Sequence, residues 1–311
     1  MLQENDPIKL DGALLADKIV ENASSLTKKL VEEFNIRPHL EVLLIGNDPS
    51  SKIYVNNKTK ACDKAGIFHN TNLLPENISN EELFKFIEDL NNNREVHGIL
   101  VQLPLPRHLN KDKLLEVIDP IKDVDGIHPY NMGLLMAGKQ NWNPCTPGGI
   151  LELLKAYDIN PEGKHCVIIG RSDIVGKPLA LLMMQHNATI TVCHSKTKEI
   201  VSHLKKADII CTAMGKTAFV LPEYVNKGVI IIDVGVNRVN DGKIVDEIYG
   251  SNSEKKRTFL SKGYVLIGDV HPNTYLKSSF YTPVPGGVGP MTIGTLIQNT
   301  ITATKLQLNI K

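Results

Sequence analysis

Neither sign of charge dominates this chain. Across 311 residues, Lys+Arg 35 stand against Asp+Glu 34, a net charge of +1, so no global field recruits nucleic acid or an anionic membrane. Any anion must be recognised by a local cluster. Paired cysteines are missing too: Cys62, Cys145, Cys166, Cys193 and Cys211 are odd in number and widely spaced, with no Cys-x-x-Cys to suggest zinc or a redox dithiol. A reduced, cytoplasmic chain without a metal is expected, with Cys166, Cys193 and Cys211 packing in apolar strand-like runs. No stretch approaches the roughly 18 apolar residues of a membrane span. The opening Met-Leu-Gln-Glu-Asn-Asp-Pro has no basic segment followed by an apolar one, so no leader is expected. Gly 23 and Pro 17 fall below the low-complexity range, and no repeat recurs at a fixed period. Disorder, collagen and coiled coil are excluded.

What is present is a soluble globular mix, 42% hydrophobic and 22% charged, long enough for about two domains. Periodicity predicts a helix over 11–33 with Leu14, Leu15, Ile19 and Leu26 on its apolar side, then an apolar strand over 39–46. Asp48 as cap and Pro49 as first residue start a helix that can run to Gly66. Ser79-Asn80-Glu81-Glu82 offers a capping box, and 96–103 reads as a strand ended by Pro104 and Pro106. The turn Pro144-Cys145-Thr146-Pro147-Gly148-Gly149 marks a boundary between domains at 1–145 and 146–290, with a terminal helix over 291–308 returning to the first. After it come a helix at 150–157 and apolar strand runs at 165–170, 189–193, 208–213, 229–235 and 264–267. Near-continuous Val/Ile runs linked by helices indicate a buried parallel sheet, hence the α/β class.

Strand CVIIG, then Arg171-Ser172-Asp173-Ile174-Val175-Gly176-Lys177-Pro178, then an apolar helix, has the order of a dinucleotide site. Its spacing is not standard: Gly170 is present, Ser172 replaces the second glycine, and Gly176 comes one residue late. The physical need is still met by a tight turn and a helix start that faces N–H groups toward a phosphate, although an ordinary βα turn uses the same residues. The following strand ends Val192-Cys193-His194-Ser195-Lys196, with no acid for a ribose hydroxyl. With Arg171 after Gly170, these groups suit a 2′-phosphate, so NADP is expected over NAD. A solvated surface arginine and a charged helix start are the plainer alternatives.

In the other half, Tyr54 and Lys58 are four apart in the helix begun by Pro49 and share a face. A lysine near an aromatic ring and shielded from water loses its proton more readily and can serve as a base, whereas an exposed lysine in this Lys-rich helix cannot. Gln102 interrupts an apolar strand near its carboxyl end, where open α/β sheets place ligands; a buried structural amide is the alternative. Asp123 and Asp125 are spaced for one acid to hold a ligand's amino groups, or for turn chemistry alone. Residues 282–292, TPVPGGVGPMT, carry more glycine and proline than a connector needs and suit close approach of backbone to a flat ligand.

These residues resemble, over nearly the whole chain, the bifunctional methylenetetrahydrofolate dehydrogenase/methenyltetrahydrofolate cyclohydrolase family. The motifs are YVNNK at 54–58, GILVQLPLP at 98–106, KDVDG at 122–126, PCTPGG at 144–149, GRSDIVGKP at 170–178, DVGVNR at 233–238 and TPVPGGVGPMT at 282–292. The resemblance implies an N-terminal α/β domain, a C-terminal Rossmann-type NADP-binding domain, a folate cleft between them and a homodimer. It makes Lys58 the catalytic lysine, with Tyr54 and Gln102 beside it, and Asp125 the carboxylate for the pterin's amino edge. Val101, Leu103, Pro285, Gly286, Gly287, Val288 and Gly289 become substrate positions, and Gly170, Arg171, Ser172, Ser195 and Val236 cofactor positions. The implied reactions oxidise methylenetetrahydrofolate with NADP and hydrolyse the methenyl product to 10-formyltetrahydrofolate, an interconversion in one-carbon metabolism that serves purine biosynthesis.

One departure stands out. The family runs a Gly-Lys-Val-Val strand almost directly into Gly-Asp-Val, but here Gly242-Lys243-Ile244-Val245 is separated from Gly268-Asp269-Val270 by residues 246–267, expected as a surface insertion. His271-Pro272 is also atypical. Rival readings are another two-domain NADP dehydrogenase, such as one resembling shikimate dehydrogenase, and a catalytically silent NADP- or folate-binding protein. The first would not need YVNNK together with PGGVGP, and the second would not need Tyr54, Lys58, Gln102 and Asp125 together.

Overall fold

The computed structural model of the chain describes residues 6–310; residues 1–5, read above for a leader, lie outside them. Two compact units form, one from 16–149 with 292–310 and one from 6–15 with 150–291. β1 (Ile8–Lys9) leads into α1 (Gly12–Phe34). This helix is where periodicity predicts it, but of the expected apolar side only Ile19 is buried and Leu15 half-buried. Ala16, Ile19, Val20, Ala23, Thr27 and Leu30 are buried, whereas Leu14 and Leu26 are 57% and 49% exposed. The buried stripe keeps helical spacing through small residues, and following leucines alone misplaces it.

β2 (His39–Ile45) is buried throughout and is the middle strand of a parallel sheet ordered β3-β2-β4. α2 (Pro49–Ala65) starts as predicted: Asp48 accepts from Ser51 N at 2.7 Å, and Gly66 at φ 73 ends the helix. β3 (Phe68–Leu74) was not anticipated, because FHNTNLL has no apolar run; pairing with β2 makes this edge strand. Ser79 and Glu82 form the reciprocal capping box of α3 (Asn80–Asn92). β4 (Gly98–Val101), α4 (Lys111–Val117) and α5 (Pro129–Met136) follow. The next helix, α6 (Cys145–Ala156), corrects the expected turn at 144–149: it begins at Cys145, not at residue 150. Pro147 is tolerated because a helix's first turn leaves its N–H groups without intrahelical partners. The core of the first unit joins Val20, Leu40, Val42 and Leu100 to Leu296, Ile297 and Ile301.

The second unit alternates β5 (His165–Ile169), α7 (Gly176–Gln185), β6 (Thr189–Cys193), α8 (Ile200–Leu204), β7 (Ile209–Thr212) and β8 (Val229–Asp233). Then come β9 (Asn237–Val239), α9 (Gly242–Tyr249), α10 (Glu254–Lys262), β10 (Val265–Ile267), α11 (Pro272–Tyr275) and β11 (Ser278–Tyr281), before α12 (Val288–Gln307). Its sheet is ordered β1-β11-β8-β7-β5-β6 with every pairing parallel. Two expectations fail here. The apolar run at 264–267 does not join this sheet, since β10 pairs antiparallel with β9. Gly242-Lys243-Ile244-Val245 is not a strand but the start of α9, because Asp241 accepts from Lys243 N at 2.8 Å and caps a helix there. The inserted segment is therefore ordered secondary structure.

Candidate active site

On α2 the buried positions are Ser51, Val55, Lys58, Cys62 and Ala65, spaced as one helical stripe. Lys58 occupies a core position and is only 9% exposed. Its Nζ donates to Gln102 Oε1 at 2.9 Å, and Gln102 Nε2 donates to the Leu103 carbonyl at 2.6 Å, which turns the amide oxygen toward the lysine. Burial pulls the Lys58 pKa below the usual lysine range, against the nearby Asp125, Cys145 and Cys62. A shielded lysine with this tendency is suited to proton transfer. The Cys62 thiol is pushed up to about 12, chiefly by burial, so it is neutral beside the lysine. Tyr54, one turn before Lys58, is 41% exposed. Val101 closes β4, buried, and Leu103 follows Gln102, half-buried.

The KDVDG segment divides its two acids. Asp123 is buried and accepts from Gly126 N (3.2 Å), His128 N (2.8 Å) and Asn131 Nδ2 (2.8 Å), so its carboxylate is committed to the turn. Burial raises its pKa to about 6 against those bonds. Lys122 anchors the same turn by donating to the carbonyls of Leu90, Asn91 and Asn93 at 2.6–2.9 Å. Asp125 is half-buried, close enough for its charge to act on Lys58 and Cys145. Lys58, Gln102 and Asp125 are thus brought together. Sequence reading missed Cys62 and Cys145 here, although Cys62 lies four residues after Lys58 on the same stripe.

In the second unit, Gly170 has φ 134, and a Cβ there would lie 2.5 Å from the Ala213 carbonyl oxygen. A Cβ on Gly176 would meet the Gly170 oxygen at 2.3 Å. Only glycine closes this turn. Ser172 Oγ accepts from Val175 N at 3.2 Å and Gly176 N at 3.4 Å, holding the start of α7. Arg171 and Ser195 are exposed at the carboxyl ends of β5 and β6, and Val236 is exposed beyond β8. A glycine-only turn, a ten-residue helix start and an exposed arginine fit an anionic dinucleotide.

Two carboxylates that sequence reading left without a role shape this end of the sheet. Asp233 accepts from Thr212 Oγ1, Gly235 N, Asp269 N, Val270 N and Tyr275 Oη at 2.8–3.0 Å, and burial raises its pKa to about 6. Asp269 accepts from Met214 N, Gly215 N, Lys216 N and Asn237 Nδ2 at 2.8–3.1 Å. Their only sequence signal was their place in DVGVNR and Gly-Asp-Val. Of the TPVPGGVGPMT segment, Pro285 is exposed, Gly286 takes φ 110 and Gly287 is buried, while Val288 and Gly289 are already the first turn of α12.

Residues 10–125 match the model of the tetrahydrofolate dehydrogenase/cyclohydrolase catalytic domain, and residues 144–308 match that of the family's NAD(P)-binding domain. The chain is 43% identical over 302 residues to the bifunctional protein FolD of Magnetococcus marinus, covering 97% of this chain and 98% of that one. The crystal structure of the FolD methylenetetrahydrofolate dehydrogenase/cyclohydrolase from Campylobacter jejuni shares 43% identity and superposes with a TM-score of 0.86, covering 96% of this chain and 98% of that one. The Trypanosoma brucei enzyme, solved with NADP cofactor and an inhibitor, is 33% identical with a TM-score of 0.89, covering 98% and 99%. The chain belongs to the tetrahydrofolate dehydrogenase/cyclohydrolase family.

Proposed function

We propose that this chain oxidises methylenetetrahydrofolate to the methenyl form with NADP and then hydrolyses that product to 10-formyltetrahydrofolate. The observation that carries the reading is a lysine in the buried stripe of α2, its Nζ aimed at an oriented amide and placed near a carboxylate. In the first reaction the one-carbon bridge loses hydride, leaving a cation shared by its two flanking nitrogens; NADP, when bound, supplies the hydride acceptor. The second reaction adds water to that carbon and opens the ring. Lys58 as a free amine takes the proton from the attacking water, and Gln102 fixes where its Nζ points. Asp125 holds the pterin's amino edge while Asp123 and Lys122 keep its loop in place, and Tyr54, Val101, Leu103 and residues 285–289 border the substrate. Gly170, Arg171, Ser172, Ser195 and Val236 hold the cofactor, with Arg171 on the 2′-phosphate.

The rival dehydrogenase and the silent binder are not favoured by the match to both family models. Five free, buried cysteines suit a reducing, cytoplasmic setting. We further propose a homodimer, for which β6 offers an outer strand edge with Val192 exposed. The test of activity is a coupled absorbance assay: methylenetetrahydrofolate and NADP should give NADPH and a methenyl product that then decays. Absence of both signals overturns the assignment.

A further inference from the structure

Residues 242–267 build a small lobe together with β9. Its core is Val239, Val245, Val265 and Ile267, with Ile248, Tyr249 and Phe259 packed against them. Ser253 caps α10, so Lys255 and Lys256 fall in its first turn, where a cation opposes the helix's positive end. Each needs acceptors to offset that position. Lys256 finds them inside the lobe, donating to Asp246 Oδ2 at 2.7 Å and the Gly242 carbonyl at 3.2 Å. Lys255 spans the lobe's border: its Nζ donates to the Leu266 carbonyl inside the lobe at 2.8 Å and to the Val284 carbonyl outside it at 3.2 Å, with the Tyr249 ring 5.7 Å away.

Val284 lies in the loop that precedes α12. That loop is fixed at one end by Thr282, whose Oγ1 accepts from Asp233 N at 2.7 Å, and at the other by Gly286, whose carbonyl accepts from Ala13 N at 3.0 Å. Lys255 grips the stretch between. We propose that Lys255 is a positioning residue: by holding the Val284 carbonyl it sets where Pro285 and Gly286 meet the folate substrate, which makes the 242–267 lobe part of the reaction apparatus. This rests on the reading that residues 285–289 border substrate. Hydride transfer depends on alignment, and small misplacements of reacting atoms cost rate steeply, whereas ring opening depends chiefly on Lys58.

The test is steady-state kinetics of both reactions in Lys255→Met and Lys255→Arg, with Gly286→Val as a direct probe of the loop. Lys255→Met should lower the ratio of dehydrogenase to ring-opening turnover about tenfold and raise KM for methylenetetrahydrofolate. Lys255→Arg, which keeps the charged donor, should restore most of that ratio. A parallel fall in both reactions without rescue by arginine, or an unchanged ratio, overturns the proposal. Should Lys255→Met not fold, Lys255→Gln is compared in the same way. If Gly286→Val shifts the ratio and Lys255→Met does not, the lysine's role alone fails; if Gly286→Val also leaves both reactions untouched, the loop reading fails with it.

Discussion

Lys58 is a buried lysine whose Nζ has one hydrogen-bond partner among the described residues, Gln102, whereas Asp233, in the other unit, is a buried carboxylate that accepts from five donors. Both charges are costly to bury, and the chain handles them differently. Around Asp233 the donors come from β7, the 235 turn, the 268–270 turn and α11, so the carboxylate ties separate segments into one rigid end of the sheet. Around Lys58 little is tied, and burial instead makes the proton easier to remove. A saturated buried charge holds shape, and an under-satisfied one is available for chemistry.

The contrast yields predictions that could break it. Lys58→Met should slow ring opening of added methenyltetrahydrofolate by roughly 10²- to 10⁴-fold, the span expected for a lost proton-transfer group, with NADP affinity unchanged in a binding titration. Asp233→Asn should act through stability instead, lowering the unfolding free energy in denaturant melts by about 3 kcal/mol, because an amide cannot accept from five donors. If Asp233→Asn were as stable as wild type but inactive, the two sites would not differ in kind. A smaller effect sharpens the cofactor side: Arg171→Ala should weaken NADP binding roughly 10-fold or more while changing NAD little, consistent with about 1.5–3 kcal/mol for a hydrogen bond to a charged phosphate. Equal losses for both cofactors would remove Arg171 from the 2′-phosphate.

Much of the chain was legible where its signals are local. Asp48 with Pro49, the Ser79–Glu82 box and the Gly170–Gly176 turn act within a few residues, and they produce the predicted elements. Two of the misses are non-local. β3 exists through pairing with β2, and β10 joins β9 rather than the large sheet, neither of which a single run of residues reveals. The 144–149 segment reads as a turn because glycine and proline commonly break helices, although the first turn of a helix tolerates them. At the site, the Tyr54–Lys58 spacing pointed to the right helix, but Lys58's place in the buried stripe, the orientation of Gln102 and the different fates of Asp123 and Asp125 appear only in three dimensions. Asp233 and Asp269 were invisible for the same reason: their donors come from several separate segments.

The account turns on Lys58 working as a free amine at a pH where an ordinary lysine is charged. The direct measurement is the pH profile of catalysed ring opening, with the spontaneous reaction subtracted, for wild type and Lys58→Met. Because the deprotonated amine is the active form and burial lowers its pKa, the wild-type rate should rise with pH through a midpoint below the ordinary lysine value of 10.5, and this limb should vanish in Lys58→Met. The same rising limb at wild-type amplitude in Lys58→Met would contradict the account.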